Sequence, residues 1–171
     1  YQKIEQINTN ILLSAQKPDV VVISDYDKGF LPANACKEII RHYKELDPNI
    51  PIFVDTKKTD LSCFEGVFIK INEKEHESIE VFPQNSDFII TLGERGTLYQ
   101  GNIYPTKVVE VFDVCGAGDV FLSTLAHTYL KNKNMPHAVK CANKMASISV
   151  SRMGTYVLTE EDINQLTDEN L

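Results

Sequence analysis

Small residues and a carboxylate stand together in segment 112–119, which reads FDVCGAGD. The segment lies between an apolar, strand-like run and a stretch with helical periodicity, so it brings several backbone N–H groups to the N-terminus of a helix. Gly116 and Gly118 let the backbone approach a phosphate without a Cβ collision. This arrangement predicts an anion site.

Asp119 ends the segment, and a carboxylate is a poor neighbour for a phosphate unless it has a separate task. One such task is to accept the proton of a hydroxyl group that attacks a bound phosphoryl group, as a general base does in phosphoryl transfer. The alternative is that Asp119 only places a favourable negative charge in the first turn of a helix. The spacing alone leaves both roles open.

Strands and helices alternate in the first half of the chain. The spacing of apolar residues predicts a helix over 33–46, which Pro48 and Pro51 follow. Continuous apolar runs rich in β-branched residues predict strands, the first of them buried on both faces, at 19–24, 52–55, 66–71 and 87–92. This alternation indicates an α/β fold with a mainly parallel sheet.

The second half is predicted to begin with a hairpin and to continue with helices. Apolar residues on both sides of 100–102 predict the hairpin within 97–111. Apolar stripes predict helices over 117–130 and 137–151. Thr159, followed by three acidic residues, predicts the N-cap of a short final helix.

Length, composition and charge narrow the function classes. The 171 residues suffice for one domain with a sizeable core, and no apolar run is long enough to cross a bilayer. The net charge of −7 argues against a nucleic-acid or anionic-membrane binder, which would carry a basic face. We therefore expect a small-molecule partner, no nucleic acid and no membrane, with a homodimer left open.

The cysteines and histidines are scattered along the chain. None of the four cysteines has a partner at zinc-ligand spacing, so we expect reduced thiols. With no signal peptide at its start, the chain is expected in the cytoplasm.

The glycine-rich segment resembles the D-T-x-G-A-G-D signature of the ribokinase/PfkB family of carbohydrate kinases. The resemblance implies that Asp119 is the catalytic base and that the amides of Gly116, Ala117 and Gly118 form the anion hole. It also implies an α/β fold of the ribokinase type, a three-layer sandwich. The chain departs from the signature at Val114 and Cys115, where the family often has hydroxyl residues.

A second motif, Asn72-Glu73-Lys74-Glu75, resembles the N-x-x-E motif of the family. The resemblance implies that Glu75, with Asn72, helps to hold Mg²⁺ and its water shell, and oxygen ligands suit that ion. Taken alone, the four residues are better explained as a solvated helix start, and it is their position between the third predicted strand and the glycine-rich segment that favours the metal role.

Further motifs follow the order of the family. Residues 91–96 resemble its T-x-G-x-x-G turn, which implies nucleotide contacts at Thr91, Gly93 and Gly96; the alternative is a simple turn after a strand. Asn143 resembles a contact on the helix that lines the adenine pocket, although a surface asparagine is as good an explanation. Asp113 with 152–155 resembles a loop that binds a monovalent cation such as K⁺.

Two segments resemble one subfamily, the heptose-phosphate kinases of ADP-heptose synthesis. They are 24–29 (SDYDKG) and 54–60 (VDTKKTD), and both follow predicted strands. Because open α/β sheets bind ligands at the carboxyl ends of their strands, Asp25, Lys28 and Lys57 are candidates to face substrate or phosphate, Lys57 foremost. Lysines beside carboxylates are otherwise ordinary surface pairs.

The resemblance corresponds to the C-terminal part of such a kinase. It implies that residues 1–171 are the nucleotide-binding and catalytic part, and that the N-terminal part, with the lid and most sugar-binding residues, lies outside them. The implied activity is ATP- and Mg²⁺-dependent phosphorylation of a sugar or sugar phosphate, D-glycero-D-manno-heptose 7-phosphate at the 1-position. The alternatives are another PfkB kinase, such as a ribokinase or fructokinase, and a nucleotide-binding fragment without turnover.

Overall fold

The computed structural model describes residues 17–107 and 109–164, and the chain divides between Ile90 and Thr91 into two units. The first unit runs through β1 (Val21–Asp25), α1 (Ala33–Leu46), β2 (Ile52–Thr56), β3 (Phe68–Asn72), α2 (Glu73–Glu77) and β4 (Asp87–Thr91). Its strand order is β1-β2-β3-β4. The strands and the helix predicted from the first half of the sequence are confirmed, and α1 has the predicted bounds.

The first three strands are parallel and closely matched in register. Val21 lies opposite Ile52, and Phe53 lies opposite Phe68, whose ring stacks on that of Phe53 with the centroids 5.0 Å apart. All five residues of β2 are buried. Parallel register brings the carboxyl ends of β1, β2 and β3 to one edge, where their last residues are polar.

The expectation that the first strand is buried on both faces is wrong. Side chains alternate along β1, and Val22 is 45% exposed. The physical reason is position, because β1 is the outermost strand in the order of the described residues and β2 is the one flanked on both sides.

Helix α1 covers one face of this unit with its apolar stripe, whose buried residues are Ala35, Cys36, Ile39, Ile40 and Tyr43. It ends at Asp47, where the chain turns towards Pro48. The ammonium of Lys44 donates to the carbonyl oxygens of Pro48 and Ile50, at 3.1 and 3.0 Å, and burial lowers the pKa of Lys44. These bonds fix the return of the chain to β2.

The second unit begins with a 3₁₀ turn (Gly93–Arg95) and an antiparallel hairpin of β5 (Thr97–Tyr99) and β6 (Asn102–Tyr104). Gln100 and Gly101 connect the strands, and both have positive φ, 47° and 77°, as a two-residue type I′ turn requires. The predicted hairpin is confirmed, although it is shorter than its apolar pattern; residue 108 of that pattern lies outside the described residues.

Three helices complete the second unit: α3 (Ala117–Asn132), α4 (Met135–Val150) and α5 (Glu160–Asn164). Helices α3 and α4 pack against each other. The side chain of Asn134 caps α4 by accepting from the N–H of His137 at 3.1 Å. The three predicted helices are confirmed. In the described ranges, no helix combines the length and apolar character that a bilayer span needs.

Candidate active site

The glycine-rich segment forms the start of α3. Gly116 is the N-cap, with a left-handed backbone (φ 79°) and no side-chain cap. The first helical hydrogen bond runs from the N–H of Val120 to the carbonyl of Gly116 at 2.9 Å, and the N–H of Ala117 lies 3.3 Å from the carbonyl of Val114. The first turn therefore presents amides at a helix terminus without a competing side-chain oxygen, as an anion site requires.

Thr155 packs against this turn. A Cβ atom at position 116 would lie 3.0 Å from Cγ2 of Thr155, so both the positive φ and the neighbouring methyl group favour glycine there. The hydroxyl group of Thr155 also donates to Sγ of Cys115 at 3.5 Å. The segment after α4 thus supports the start of α3.

Asp113 shapes the approach to the same turn. Its Oδ1 accepts from the N–H of Cys115 at 2.8 Å. The N–H groups of Phe112 and Asp113 lie 2.8 and 3.3 Å from the carbonyl oxygen of Val150, the last residue of α4. The structure therefore brings Asp113 to the end of α4, where 152–155 begin; a cation bound there stays a prediction.

Asp119 is exposed in the first turn of α3. It is the third helical residue, directly after the amides of the predicted anion hole. This position suits a base that faces a bound phosphoryl group, and it equally suits a carboxylate that interacts with the helix dipole. The catalytic role of Asp119 stays a prediction.

The predicted nucleotide turn follows β4. Gly93 starts the 3₁₀ turn with φ 63°, and the N–H of Leu92 donates to the carbonyl oxygen of Gly96 at 2.8 Å. A Cβ atom on Gly96 would lie 2.1 Å from the carbonyl oxygen of Tyr104. The turn therefore packs directly on the chain that leaves β6. Thr91 is half-buried at the end of β4.

Asn143 lies buried on α4, with 6% of its surface exposed. Its Oδ1 accepts from the hydroxyl group of Thr97 at 2.7 Å, and its Nδ2 donates to the carbonyl oxygen of Tyr104 at 2.8 Å. The hydroxyl group of Thr106 donates to its backbone carbonyl at 3.2 Å. Asn143 thus ties α4 to the hairpin, a structural role that its sequence position did not reveal; the nucleotide contact stays a prediction.

In the first unit, the predicted metal residues form a helix cap. Asn72 is the N-cap of α2: its Oδ1 accepts from the N–H of Glu75 at 2.9 Å, and Oε2 of Glu75 accepts from the N–H of Asn72 at 2.8 Å. This is a capping box, which requires the same three-residue spacing as the N-x-x-E motif. The spacing therefore has a structural explanation here, and the metal role stays a prediction.

Lys57 lies beside this cap. Its ammonium donates to Oε1 of Glu75 and lies 3.7 Å from Oδ1 of Asp55. Burial by itself lowers the pKa of Lys57, but the hydrogen bond to Glu75 and the charges of both carboxylates outweigh burial, so the pKa stands above its ordinary value. Lys57 is therefore protonated at neutral pH.

Three further polar residues of this edge were not singled out from the sequence. Lys70 is buried on β3, with 6% of its side chain exposed, and donates to Oδ2 of Asp55 at 2.6 Å. Thr56 donates to Oδ2 of Asp25 at 3.1 Å, and the ammonium of Lys58 lies 3.1 Å from the same oxygen. The register of β2 and β3 places Asp55 opposite Lys70 and so explains this ion pair. The sequence cannot indicate the pair until the pairing of the two strands is known.

A hydrated Mg²⁺ suits the charge of this edge. The ammonium of Lys57 lies between Asp55 and Glu75, and the other oxygen of Asp55 is bonded to Lys70. A cation in the place of Lys57 would therefore face Glu75 as the carboxylate without a second lysine. Carboxylate and water oxygens are the ligands that Mg²⁺ prefers. In the described ranges, no group of three or more His, Cys, Asp or Glu is arranged to hold a metal by itself.

The structure brings the predicted residues into local groups. Lys57, Asn72 and Glu75 are together in the first unit, as is Asp25 with its partners. In the second unit, one group comprises Asp113, Gly116, Ala117, Gly118 and Asp119. Another comprises Gly96, Tyr104 and Asn143. In the described ranges, no bond or ion pair involving Lys28 adds it to any of these groups.

The chain matches the model of the pfkB family carbohydrate kinases over residues 12–162. It is 31% identical over 172 residues to the bifunctional protein HldE of Campylobacter concisus and 34% identical over 165 residues to that of Campylobacter jejuni. These alignments cover 88% and 84% of the chain, and 36% and 35% of the relatives. The chain therefore spans little more than a third of the length of these curated relatives.

Solved structures of the same fold include phosphofructokinase-2 from Escherichia coli in complex with potassium, with a TM-score of 0.70 and 17% identity over 86% of this chain and 55% of that chain. Arabidopsis thaliana ribokinase complexed with ribose and ATP has a TM-score of 0.63 and 18% identity over 80% of this chain and 51% of that one. These similarities confirm the expected ribokinase-like α/β fold with its mainly parallel sheet.

Proposed function

Since the chain belongs to the pfkB family of carbohydrate kinases, we propose that it takes part in transfer of the γ-phosphoryl group of ATP to a hydroxyl group of a sugar or sugar phosphate. The observation that carries this proposal is the start of α3, where an uncapped helix terminus with glycine at its N-cap is followed by an exposed carboxylate in the same turn.

The proposed mechanism assigns the phosphoryl group to the amides of 116–118. The carboxylate of Asp119 accepts the proton of the attacking hydroxyl group as its oxygen bonds to phosphorus and the bond to the ADP oxygen breaks. The amides and the dipole of α3 stabilise the charge on the transferring group. Mg²⁺, which the family resemblance assigns to Glu75, would supply neutralisation of phosphate charge.

The substrate that we propose is D-glycero-D-manno-heptose 7-phosphate, phosphorylated at the 1-position on the way to ADP-heptose. Support comes from the segments 24–29 and 54–60, which resemble heptose-phosphate kinases, and from the relatives named HldE. Another sugar, as in a ribokinase or fructokinase, is the competing proposal. The four free thiols and the use of ATP accord with a cytoplasmic location, and light scattering would test for a homodimer.

The first test is Mg·ATP-dependent phosphorylation of heptose 7-phosphate and a panel of sugars by the protein and its Asp119→Asn variant. As a base, Asp119 should contribute about 10²–10⁴-fold to kcat, and the variant should still bind ATP. The matched control is Glu160→Gln, because Glu160 is another exposed acid in the first turn of a helix.

The outcomes separate the alternatives. If Asp119 only interacts with the helix dipole, both variants should lose about 0.3–1 kcal/mol of stability and keep their turnover. ATP binding with no turnover of any sugar, in the parent protein as in the variant, would favour a nucleotide-binding fragment.

A further inference from the structure

Lys57 occupies a place between two carboxylates at the carboxyl edge of the strands. Its ammonium donates to Oε1 of Glu75 and lies 3.7 Å from Oδ1 of Asp55. Glu75 is the carboxylate that the proposed function assigns to the Mg²⁺ water shell. The ammonium of Lys57 therefore occupies the position beside Glu75 that the divalent cation would need.

The two carboxylates are held in place by their other oxygens. Oδ2 of Asp55 accepts from the buried ammonium of Lys70 at 2.6 Å. Oε2 of Glu75 accepts from the backbone N–H of Asn72 at 2.8 Å, as one half of the capping box. Neither carboxylate can turn away without breaking a second bond.

Lys57 is the most exposed member of the group. Its side chain is 39% exposed, whereas those of Asp55, Glu75 and Lys70 are 12%, 18% and 6% exposed. A lysine ammonium is a point charge on a flexible stem with several rotamers. It can therefore leave Glu75 while the rest of the group stays assembled.

We propose that Lys57 is a displaceable counter-ion of Glu75, which holds the carboxylate in the cation-free chain and releases it when a divalent cation binds. An ammonium and a hydrated divalent cation repel each other, so they compete for one carboxylate oxygen. This inference rests on the proposed function for the role of Glu75. Once released, the ammonium of Lys57 no longer pairs with the carboxylate of Glu75. Its positive charge is then available to an anion such as a phosphate.

Amine labelling tests the exchange directly. The protein is treated briefly with acetic anhydride, with and without saturating Mg²⁺ at constant ionic strength, and acetylation of each lysine is quantified by peptide mass spectrometry. We expect Mg²⁺ to raise the acetylation of Lys57, because the ammonium loses its carboxylate partner.

Lys17 is the internal control. It pairs with Asp47 at 2.5 Å, and its side chain is 59% exposed. Asp47 follows α1, and its carbonyl oxygen accepts from the N–H of Ile50. The next residue, Pro51, accepts from the N–H of Val21, the first residue of β1. The pair of Lys17 and Asp47 therefore lies at the amino ends of β1 and β2. Its labelling should not respond to Mg²⁺. If Mg²⁺ also leaves the acetylation of Lys57 unchanged, the proposal is overturned.

A binding measurement gives the converse test. Lys57→Met removes the competing ammonium, and Lys17→Met makes the same change of charge away from Glu75. Mn²⁺ titrations followed by electron paramagnetic resonance should show binding about fivefold tighter in Lys57→Met, the scale of one partly exposed ion pair. Unchanged or weaker binding in Lys57→Met, or the same gain in Lys17→Met, overturns the exchange.

Failure of this inference is distinguishable from failure of the proposed function. Phosphorylation of a sugar without a Mg²⁺-dependent change at Lys57 removes the exchange and leaves the kinase. Mg²⁺-dependent release of Lys57 without phosphorylation of any sugar leaves the exchange as a property of a cation-binding chain.

Discussion

Among the described glycines with positive φ, Gly96 has the surroundings that leave least room for a side chain. It has φ 92°, and an added Cβ atom would lie 2.1 Å from the carbonyl oxygen of Tyr104 and 2.8 Å from the backbone of Pro105. Backbone atoms cannot move aside as the end of a side chain can. The second glycine position of the T-x-G-x-x-G turn is therefore required by packing, whatever it does for a nucleotide.

We predict that Gly96→Ala lowers the free energy of unfolding by about 3 kcal/mol or more, because strain at positive φ and overpacking each cost about 1–3 kcal/mol. Gly101→Ala is the matched control, since Gly101 also has positive φ (77°) but has no atom within 4 Å of the added Cβ. It should lose only about 1 kcal/mol. Urea unfolding of both variants measures the difference, and equal losses would show that the contact with Tyr104 is not what requires glycine.

Asn143 provides polar bonds between α4 and the β5–β6 hairpin. It satisfies the buried hydroxyl group of Thr97 and the carbonyl oxygen of Tyr104. The element pair is thus joined by polar bonds as well as by apolar contact.

We predict that Asn143→Ala destabilises the protein by about 2–4 kcal/mol, because it leaves one buried and one part-buried group without their partner. Asn49→Ala is the control: Asn49 is exposed, and its backbone N–H, which the substitution keeps, donates to Asp47 at 2.8 Å. That variant should stay within about 0.5 kcal/mol of the parent. Denaturant unfolding measures both variants. If Asn143→Ala loses no more unfolding free energy than the control, the bonds of Asn143 do not stabilise the contact between α4 and the hairpin.

Helix α5 begins with a buried carboxylate that accepts several bonds. Oδ2 of Asp162 accepts from the N–H and the hydroxyl group of Thr159, each at 2.9 Å, and from the hydroxyl group of Tyr156 at 2.7 Å. The backbone bond from Thr159 is the main reason why the pKa of Asp162 lies below its ordinary value; burial opposes it, and the hydroxyl groups add to it. The predicted cap at Thr159 is therefore present, with Asp162 as its partner.

This cap should make part of the stability depend on pH. A carboxylate whose pKa is lowered by folding stabilises the folded state above the unfolded pKa of about 3.9. That contribution is lost as pH falls through the folded pKa. We predict that the difference in unfolding free energy between the parent and Asp162→Asn is constant from about pH 5 to 8 and shrinks below about pH 4.

The exposed neighbour Glu161 supplies the control for that series. Glu161→Gln should stay within about 0.5 kcal/mol of the parent at neutral pH. A difference for Asp162→Asn that does not shrink in acid would mean that the ionised carboxylate is not what holds the start of α5.

Across the whole molecule, the four thiols differ in exposure. Cys36, Cys63 and Cys141 are buried, and Cys115 is exposed beside the glycine-rich turn. The pKa of Cys36 is raised by its hydrogen bond to the thiol of Cys63 and by burial. Thiolates are the reactive form, so burial and protonation both slow the reaction of Cys36.

We predict that a thiol reagent modifies one cysteine rapidly in the native protein and four after denaturation, and that Cys115→Ser abolishes the rapid phase. Because Cys115 adjoins the predicted anion hole, Mg·ATP should slow its modification. The native reaction is followed by absorbance, with nucleotide binding measured in the same sample. Bound ATP that leaves the rate unchanged would place the phosphates away from the start of α3.

The sequence by itself determined the features that depend on neighbouring residues. The stripe of α1 and the prolines after it mark that helix from end to end, Thr159 marks the cap of α5, and 112–119 mark a helix start with glycine at its N-cap. These patterns are legible because helical periodicity, capping and turn conformation act within a few residues. The family and its fold follow from the order of such motifs.

Only the tertiary structure decided which distant residues meet. Nothing near Asn143 in the sequence indicates Thr97 or Tyr104, and Asp55 meets Lys70 because parallel strands adopt one register out of several. The exposure of Val22 on β1 was likewise decided by strand order, since the same apolar run would be buried in the middle of a sheet. Strand pairing joins residues far apart in the chain, and so it depends on the packing of the whole unit.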